Sequence, residues 1–107
     1  MITGREHQSS YPQKFAELTD DVLFGDMWTR TQLSPRERSL ATVAALVAMY
    51  RPEQLPFHLK RALDNGLSVE ELAEVITHLA FYSGWPTAAS ALNVLSELQA
   101  SLPTPQE

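Results

Sequence analysis

Apolar residues recur at helical spacing along most of the chain, and the alternating patterns typical of β-strands are nearly absent. Polar segments with helix start and stop signals separate these apolar runs. The pattern predicts one all-α domain of about five helices across residues 1–107. The polar composition of residues 1–13 and 101–107 predicts mobile ends.

Two of the predicted helices have strong start signals. Ser34 and Glu37 form the pattern of a capping box, with Pro35 between them at the first helical position. Ser68 and Glu71 form a second capping box. Helices are therefore expected to begin next to Ser34 and Ser68.

Other residues predict where helices stop and where the first one starts. Gly66 and Gly84 are expected to end helices, and Pro86 suits the start of the last one. Thr19 is the predicted N-cap of an earlier helix that runs to about Arg30.

The run "LATVAALVAMY", Leu40 to Tyr50, is apolar except for Thr42, which predicts a central helix covered on all sides. The last helix is also largely apolar, so five short helices have more apolar surface than one chain can bury. This excess predicts a homo-oligomer.

Charge and composition exclude several classes of protein. Eight Lys and Arg against 13 Asp and Glu give a net charge of -5, which disfavours binding to nucleic acid or to anionic membranes. The chain has no cysteine, so disulfides and thiolate nucleophiles are excluded. No apolar run reaches the ~20 residues of a membrane span, and no signal peptide is recognisable, so a soluble cytoplasmic protein is expected.

Polar groups gather on one stripe of the helix that follows Ser68. Glu74, His78 and Tyr82 lie four residues apart, so a carboxylate and a phenol would flank the imidazole. This arrangement suits a site. A surface Glu-His pair beside a half-buried tyrosine explains the spacing equally well.

Three further residues are candidates for a site that binds an acid. His58 stands between apolar neighbours at the expected edge of the core, as either a core imidazole or a site residue. Arg51 and Arg38 are candidate anchors for an anion, although exposed surface charge explains Arg38 as well. No metal-binding, phosphate-binding or nucleotide-binding motif is present, so no cofactor is expected.

The segments "HLKRALDNG", "EELAEVI" and "YSGWP", within residues 24–92, resemble the carboxymuconolactone decarboxylase family. The resemblance implies the all-helical alkylhydroperoxidase-D-like fold, assembled as trimers or hexamers. It also implies that the Gly-Trp-Pro break separates two core helices beside a shared pocket.

The sequence departs from one branch of that family. The alkylhydroperoxidase-D-like branch has a Cys-x-x-Cys pair followed by a histidine, and the matching positions here are Arg51, Gln54 and His58. The histidine is kept and both thiols are absent. Peroxide reduction through a disulfide is therefore excluded.

The other branch decarboxylates a lactone acid in the breakdown of aromatic compounds without a cofactor. The resemblance implies His58 as the first candidate for acid-base catalysis and His78 as the second. Arg38 or Arg51 would anchor the substrate carboxylate, and Tyr82 and Trp85 would line the pocket.

Three functions stay open at this point. The first is a cofactor-free decarboxylase that acts on a small carboxylated lactone or a related acid. The second is isomerisation or ring opening of a small molecule on the same fold. The third is a non-catalytic binding or assembly module.

Overall fold

The computed structural model describes residues 11–103, which contain five α-helices and no strand. The all-α prediction is therefore confirmed. The α-helices are α1, Gln13–Glu17; α2, Pro35–Ala48; α3, Leu55–Asp64; α4, Val69–Ser83; and α5, Trp85–Ser101. The ends that were predicted to be mobile lie mostly outside the described residues. No helix within 11–103 is long and apolar enough to cross a membrane.

The chain divides into two compact units, residues 1–35 and 36–107, and each is described by itself. In the first unit, α1 continues directly into a π-helix, Leu18–Phe24, and a short 3-10 helix follows at Met27–Thr29. A Cβ atom on Gly25 would lie 2.8 Å from the carbonyl oxygens of two preceding residues, so the chain packs closely against itself there.

The predicted N-cap at Thr19 is wrong. Helical structure begins earlier, at Gln13, and Pro12 occupies the N-cap position. The Thr19 hydroxyl donates a 2.9 Å hydrogen bond to the carbonyl oxygen of Phe15, four residues earlier. A threonine inside a helix satisfies its hydroxyl in this way, and the same residue type that marks helix starts can therefore lie within a helix.

α2 begins as predicted at Pro35, the last residue of the first unit, and in the second unit the other start signal is confirmed in detail. Ser68 Oγ accepts a 3.0 Å hydrogen bond from the backbone N–H of Glu71, and Glu71 Oε1 accepts one of 3.0 Å from the N–H of Ser68. The Glu71 carboxylate also pairs with the guanidinium of Arg36. Hydrogen bonding by Ser68 and Arg36 lowers the pKa of Glu71.

Both predicted helix-stop glycines adopt positive φ. Gly66 has a φ of 103°, and Gly84 has a φ of 107° with a ψ of 145°, a conformation that side chains with a Cβ rarely adopt. At Gly84 this lets α5 begin immediately after α4 ends, with Pro86 in its first turn. The Gly-Trp-Pro break is thus a sharp turn between two helices.

The helices of the second unit share one apolar core. α5 packs against both α4 and α3. At one end of α3, Asn65 donates a hydrogen bond to Ser39 of α2, and at the other end Leu55 lies in the same pocket wall as Val47 of α2. α2 and α3 therefore run antiparallel. The buried core residues are Val43, Val47, Leu55, Leu59, Ala62, Leu67, Leu72, Ile76, Ala80, Ala88, Ala91 and Leu95.

The prediction that α2 is covered on all sides is wrong for the single chain. Val43 and Val47 are buried on one side, whereas Ala41, Ala45 and Ala48 are exposed on another. An apolar run shows only that charged residues are absent from the helix. It does not show that the same chain buries every face of that helix.

Candidate functional site

An open pocket with an empty volume of about 180 Å³ lies where the end of α2, the start of α3 and the first two turns of α5 meet. Its walls are mostly apolar, with one arginine and three hydroxyl-bearing side chains. The lining residues are Leu46, Val47, Tyr50, Arg51, Pro52, Leu55, Thr87, Ser90 and Ala91. Much of this volume is open to solvent, so within the single chain the pocket can hold a small polar group such as a carboxylate and leaves the rest of a ligand outside.

Arg51 supplies the positive charge of the pocket. Its Nη1 donates hydrogen bonds to the carbonyl oxygens of Met49, at 2.7 Å, and Tyr50, at 3.2 Å. Among residues 11–103 no carboxylate forms a salt bridge with Arg51. The guanidinium is thus oriented by the backbone while its charge stays available to an anionic ligand.

Tyr50 precedes Arg51 and has an unusual backbone conformation. Its φ is 56°, and it is the one residue other than glycine with positive φ in the described part of the chain. Such conformations cost roughly 1–3 kcal/mol and cluster at functional sites. Here the left-handed residue turns the chain between α2 and α3, so that Arg51 follows at the pocket wall.

His58 lies on α3, one helical turn after Leu55 of the pocket wall. It is half-buried, its Nδ1 atom is shielded from solvent, and its ring lies edge-on to Phe57 at 5.0 Å between centroids. Burial, and secondly the positive charge of Arg61, lower the pKa of His58 to about 4. The imidazole is therefore neutral at pH 7.

The remaining arginine candidate, Arg38, lies near the start of α2. Its side chain is half-buried, with a buried Nε atom. Arg61 on α3 also has a buried Nε atom, and burial lowers its pKa. Neither arginine lines the pocket, so both belong to the partly buried polar groups near the core.

The polar stripe of α4 is on the surface. Glu74, His78 and Tyr82 are all exposed, and Tyr82 is 75% exposed. The rings of His78 and Tyr82 lie 4.9 Å apart, and within residues 11–103 Glu74 has no hydrogen bond or ion pair. None of these three residues lines the pocket formed by the described part of the chain.

Trp85, the first residue of α5, is 65% exposed and lies edge-on to Phe81 at 5.8 Å between ring centroids. It does not line the pocket. Phe81, Tyr82 and Trp85 together form an exposed aromatic ridge at the junction of α4 and α5.

The structure thus separates the candidates predicted from sequence. Arg51 lies in the pocket, His58 lies one turn outside it, and the stripe of His78 lies on the exposed face of α4. Sequence reasoning missed the contributions of Thr87 and Ser90. Their three-residue spacing on α5 was visible, but nothing near them in sequence connects them with Arg51.

These features define an all-α protein without cysteine, whose small pocket combines an arginine with hydroxyl groups on an apolar wall. Within residues 11–103 no group of three or more potential ligands could hold a metal ion. The chain belongs to the carboxymuconolactone decarboxylase family, whose profile matches residues 13–97.

Two relatives of known function are similar to the chain over most of its length. The first is 4-carboxymuconolactone decarboxylase of Acinetobacter baylyi, which is 32% identical over 93 residues, or 87% of this chain and 69% of that protein. The second is nitrosuccinic acid decarboxylase of the fungus Metarhizium robertsii, which is 31% identical over 78 residues. That match covers 73% of this chain and 54%, about half, of the fungal protein.

Proposed function

We propose that this protein is a decarboxylase that acts on a small carboxylic acid, with a carboxylated lactone as the leading substrate class. The observation that carries the proposal is the Arg51 pocket, which offers an available positive charge within a mostly apolar wall. The relatives support the reaction class, since both are decarboxylases while their named substrates differ.

The reaction needs three things from the protein. The bond between the carboxylate carbon and its neighbour breaks, CO₂ leaves, and the bonding electron pair stays on the substrate. That pair must be delocalised into a conjugated carbonyl group, and a proton must then reach the carbon. The protein therefore has to hold the acid, stabilise the oxygen that gains charge and control one proton.

In the proposed assignment Arg51 holds a substrate carboxylate. Its Nη1 is fixed by two backbone carbonyl oxygens, so little side-chain freedom is lost when the acid binds. The pocket is open, so the rest of a lactone acid can extend from it towards solvent.

His58 is the proposed group for proton transfer, with His78 as the second candidate. His58 is neutral in the ligand-free protein, with a pKa of about 4, and an anionic substrate bound nearby would raise that pKa. A neutral imidazole with a partly buried ring can accept or relay a proton without being held permanently in the charged form.

We also propose that the protein is a homo-oligomer, with a trimer or hexamer as the expected state. Ala41, Ala45 and Ala48 of α2 and the aromatic ridge of α4 and α5 leave apolar surface uncovered in the single chain. A contact that covers the ridge would also enclose the His78 stripe, which is open to solvent here.

CO₂ release from a panel of small carboxylated lactones and oxo acids tests the proposed function. We expect at least one acid to be turned over, and we expect Arg51→Gln to raise its KM by about 10- to 100-fold, since a charged hydrogen bond is lost. Lys14→Gln, which removes one exposed positive charge from α1, serves as the control and should leave KM unchanged. Absence of CO₂ release with every acid, or a normal KM for Arg51→Gln, would contradict the proposal.

A further inference from the structure

The hydroxyl groups of Thr87 and Ser90 differ from every comparable hydroxyl in the described chain. Both side chains are half-buried, both line the pocket, and neither has a hydrogen-bond partner within residues 11–103. All other buried or half-buried serine and threonine side chains there have one, namely Thr19, Ser39, Thr42, Ser68 and Ser83. Neither hydroxyl oxygen is among the buried side-chain atoms without a partner, so both reach solvent at the open pocket and can exchange water for an acceptor oxygen of a ligand.

Their position on α5 allows them to act together. Thr87 and Ser90 are three residues apart in a continuous helix, so they lie on the same face. Helical threonines and serines often donate to the carbonyl four residues earlier, as Ser83 does to Leu79 at 2.9 Å. Thr87 and Ser90 do not, and each can therefore direct its hydrogen into the pocket.

Arg51 lines the same pocket. Only its Nη1 is engaged in the described chain, which leaves Nε and Nη2 able to donate to a ligand. Val47 and Leu55 also line the pocket and are buried and apolar, which strengthens hydrogen bonds formed next to them. A ligand that satisfies all these groups needs a carboxylate for Arg51 and a second, neutral acceptor oxygen for the hydroxyls.

We propose that Thr87 and Ser90 bind the carbonyl oxygen of a compact oxo acid or lactone acid whose carboxylate lies on Arg51. This inference rests on the proposed function for its choice of an acid as ligand. When the carbon–carbon bond breaks and CO₂ leaves, the electron pair moves into the conjugated carbonyl, and that oxygen becomes an enolate oxygen. Hydrogen bonds from Thr87 and Ser90 then strengthen as charge develops, before a proton is added at carbon.

Two probes of equal chain length separate the carbonyl contact from the carboxylate contact. Laevulinate has a carboxylate and a ketone, and valerate has the same five-carbon chain without the ketone. We expect full-length protein to bind laevulinate about 3- to 10-fold more tightly than valerate in an NMR titration, as one or two neutral hydrogen bonds would give. In Thr87→Val/Ser90→Ala that preference should disappear while the affinity for valerate is kept.

Three controls keep the result specific. Ser96→Ala removes an exposed hydroxyl from the same helix and should retain the preference for laevulinate. Thermal unfolding of Thr87→Val/Ser90→Ala should match the wild type, because neither hydroxyl bonds to the rest of the described chain. Arg51→Gln should weaken both probes equally.

The titration needs no turnover, so its outcome is distinct from that of the decarboxylase assay. Equal binding of the two probes by wild-type protein, or an unchanged preference in the double variant, overturns the inference even if CO₂ is released. If an acid is decarboxylated, the double variant should lower kcat more than it raises KM, since the carbonyl oxygen gains charge only in the transition state. A change confined to KM would overturn the role assigned to the two hydroxyls during CO₂ loss.

Discussion

The side-chain amide of Asn65 donates a 3.0 Å hydrogen bond to Oγ of Ser39, a residue with no exposed surface. Asn65 follows the last turn of α3, and Ser39 lies in the second turn of α2. Asn65 shares a helical face with His58 and Arg61, which precede it by seven and four residues. The hydrogen bond therefore helps to hold that face of α3 towards α2.

Loss of this bond should destabilise the protein. Asn65→Ala leaves the buried Ser39 oxygen without its partner, so we expect a loss of about 1–3 kcal/mol in the free energy of unfolding. Ser39→Ala/Asn65→Ala should lose less than the sum of the two single variants, because neither partner is then left unsatisfied. Urea denaturation of the four proteins measures this coupling, and strictly additive losses would show that the bond contributes nothing.

The ends and starts of helices were the most predictable part of the fold. The Ser68–Glu71 capping box and the left-handed glycines at 66 and 84 depend on neighbouring residues, so the sequence contains the whole signal. Thr19 misled the prediction because a hydroxyl that caps a helix can equally bond inside one. The alanines of α2 misled it because alanine is compatible with both buried and exposed positions.

The depressed pKa of His58 predicts how stability depends on pH. The pKa of His58 is about 4 in the folded protein and the ordinary pKa of histidine is 6.5, so the unfolded chain binds more protons between these two values. The contribution of neutral His58 to the free energy of unfolding should be fully present above pH 6.5 and should be lost as the pH falls towards 4. His58 is partly exposed to solvent, which reduces the effect, so we expect this loss of unfolding free energy to be roughly 1–2 kcal/mol.

The difference in unfolding free energy between wild type and His58→Gln isolates this effect, because all other titrating groups are common to both proteins. That difference should change between pH 6.5 and pH 4 and should stay constant above pH 6.5. Arg61→Gln should raise the pKa of His58 in an NMR titration, since Arg61 is the second cause of the shift. A His58 pKa near 6.5 in wild-type protein would refute the burial argument.

The two histidines should differ in their effect on catalysis. If His58 transfers the proton, His58→Gln should lower kcat by about 10²- to 10⁴-fold with the fold retained, and His78→Gln should be milder. The pKa of His58 in the ligand-free protein is about 4, so its titration should cause little change in the wild-type kcat/KM between pH 6 and 8. Near-normal rates for His58→Gln beside an inactive, folded His78→Gln would transfer the role to the stripe of Glu74, His78 and Tyr82.

The site was less predictable than the fold for a physical reason. Arg51 was found as a basic residue beside a helix start, but Thr87 and Ser90 lie more than thirty residues later and meet it only through tertiary packing. His78 and Tyr82 had the right helical spacing for contact, and their rings do lie 4.9 Å apart. Spacing along one helix cannot show whether another element covers that face, and no element within residues 11–103 covers it.

The absence of thiols gives a clear negative prediction. The positions that match the family's thiol pair are Arg51 and Gln54, and the whole chain has no cysteine. Purified protein should therefore not reduce an organic hydroperoxide with a dithiol donor, because no protein disulfide can form during turnover. Consumption of hydroperoxide above an albumin blank would show that another group performs the chemistry.

The exposed aromatic ridge makes the assembly prediction specific. Phe81 is 76% exposed and Trp85 is 65% exposed, and aromatic side chains of this size contribute strongly to stable interfaces. We expect light scattering at micromolar concentration to show a trimer or hexamer, and Phe81→Glu/Trp85→Glu to shift it to smaller species because charges would be buried at the contact. Thr77→Glu adds a charge at an exposed position one turn earlier on α4 and serves as the control. A stable wild-type monomer would contradict oligomerisation itself, whereas an unchanged oligomer in the double variant would place the contact elsewhere, with the alanine face of α2 as the next surface to test.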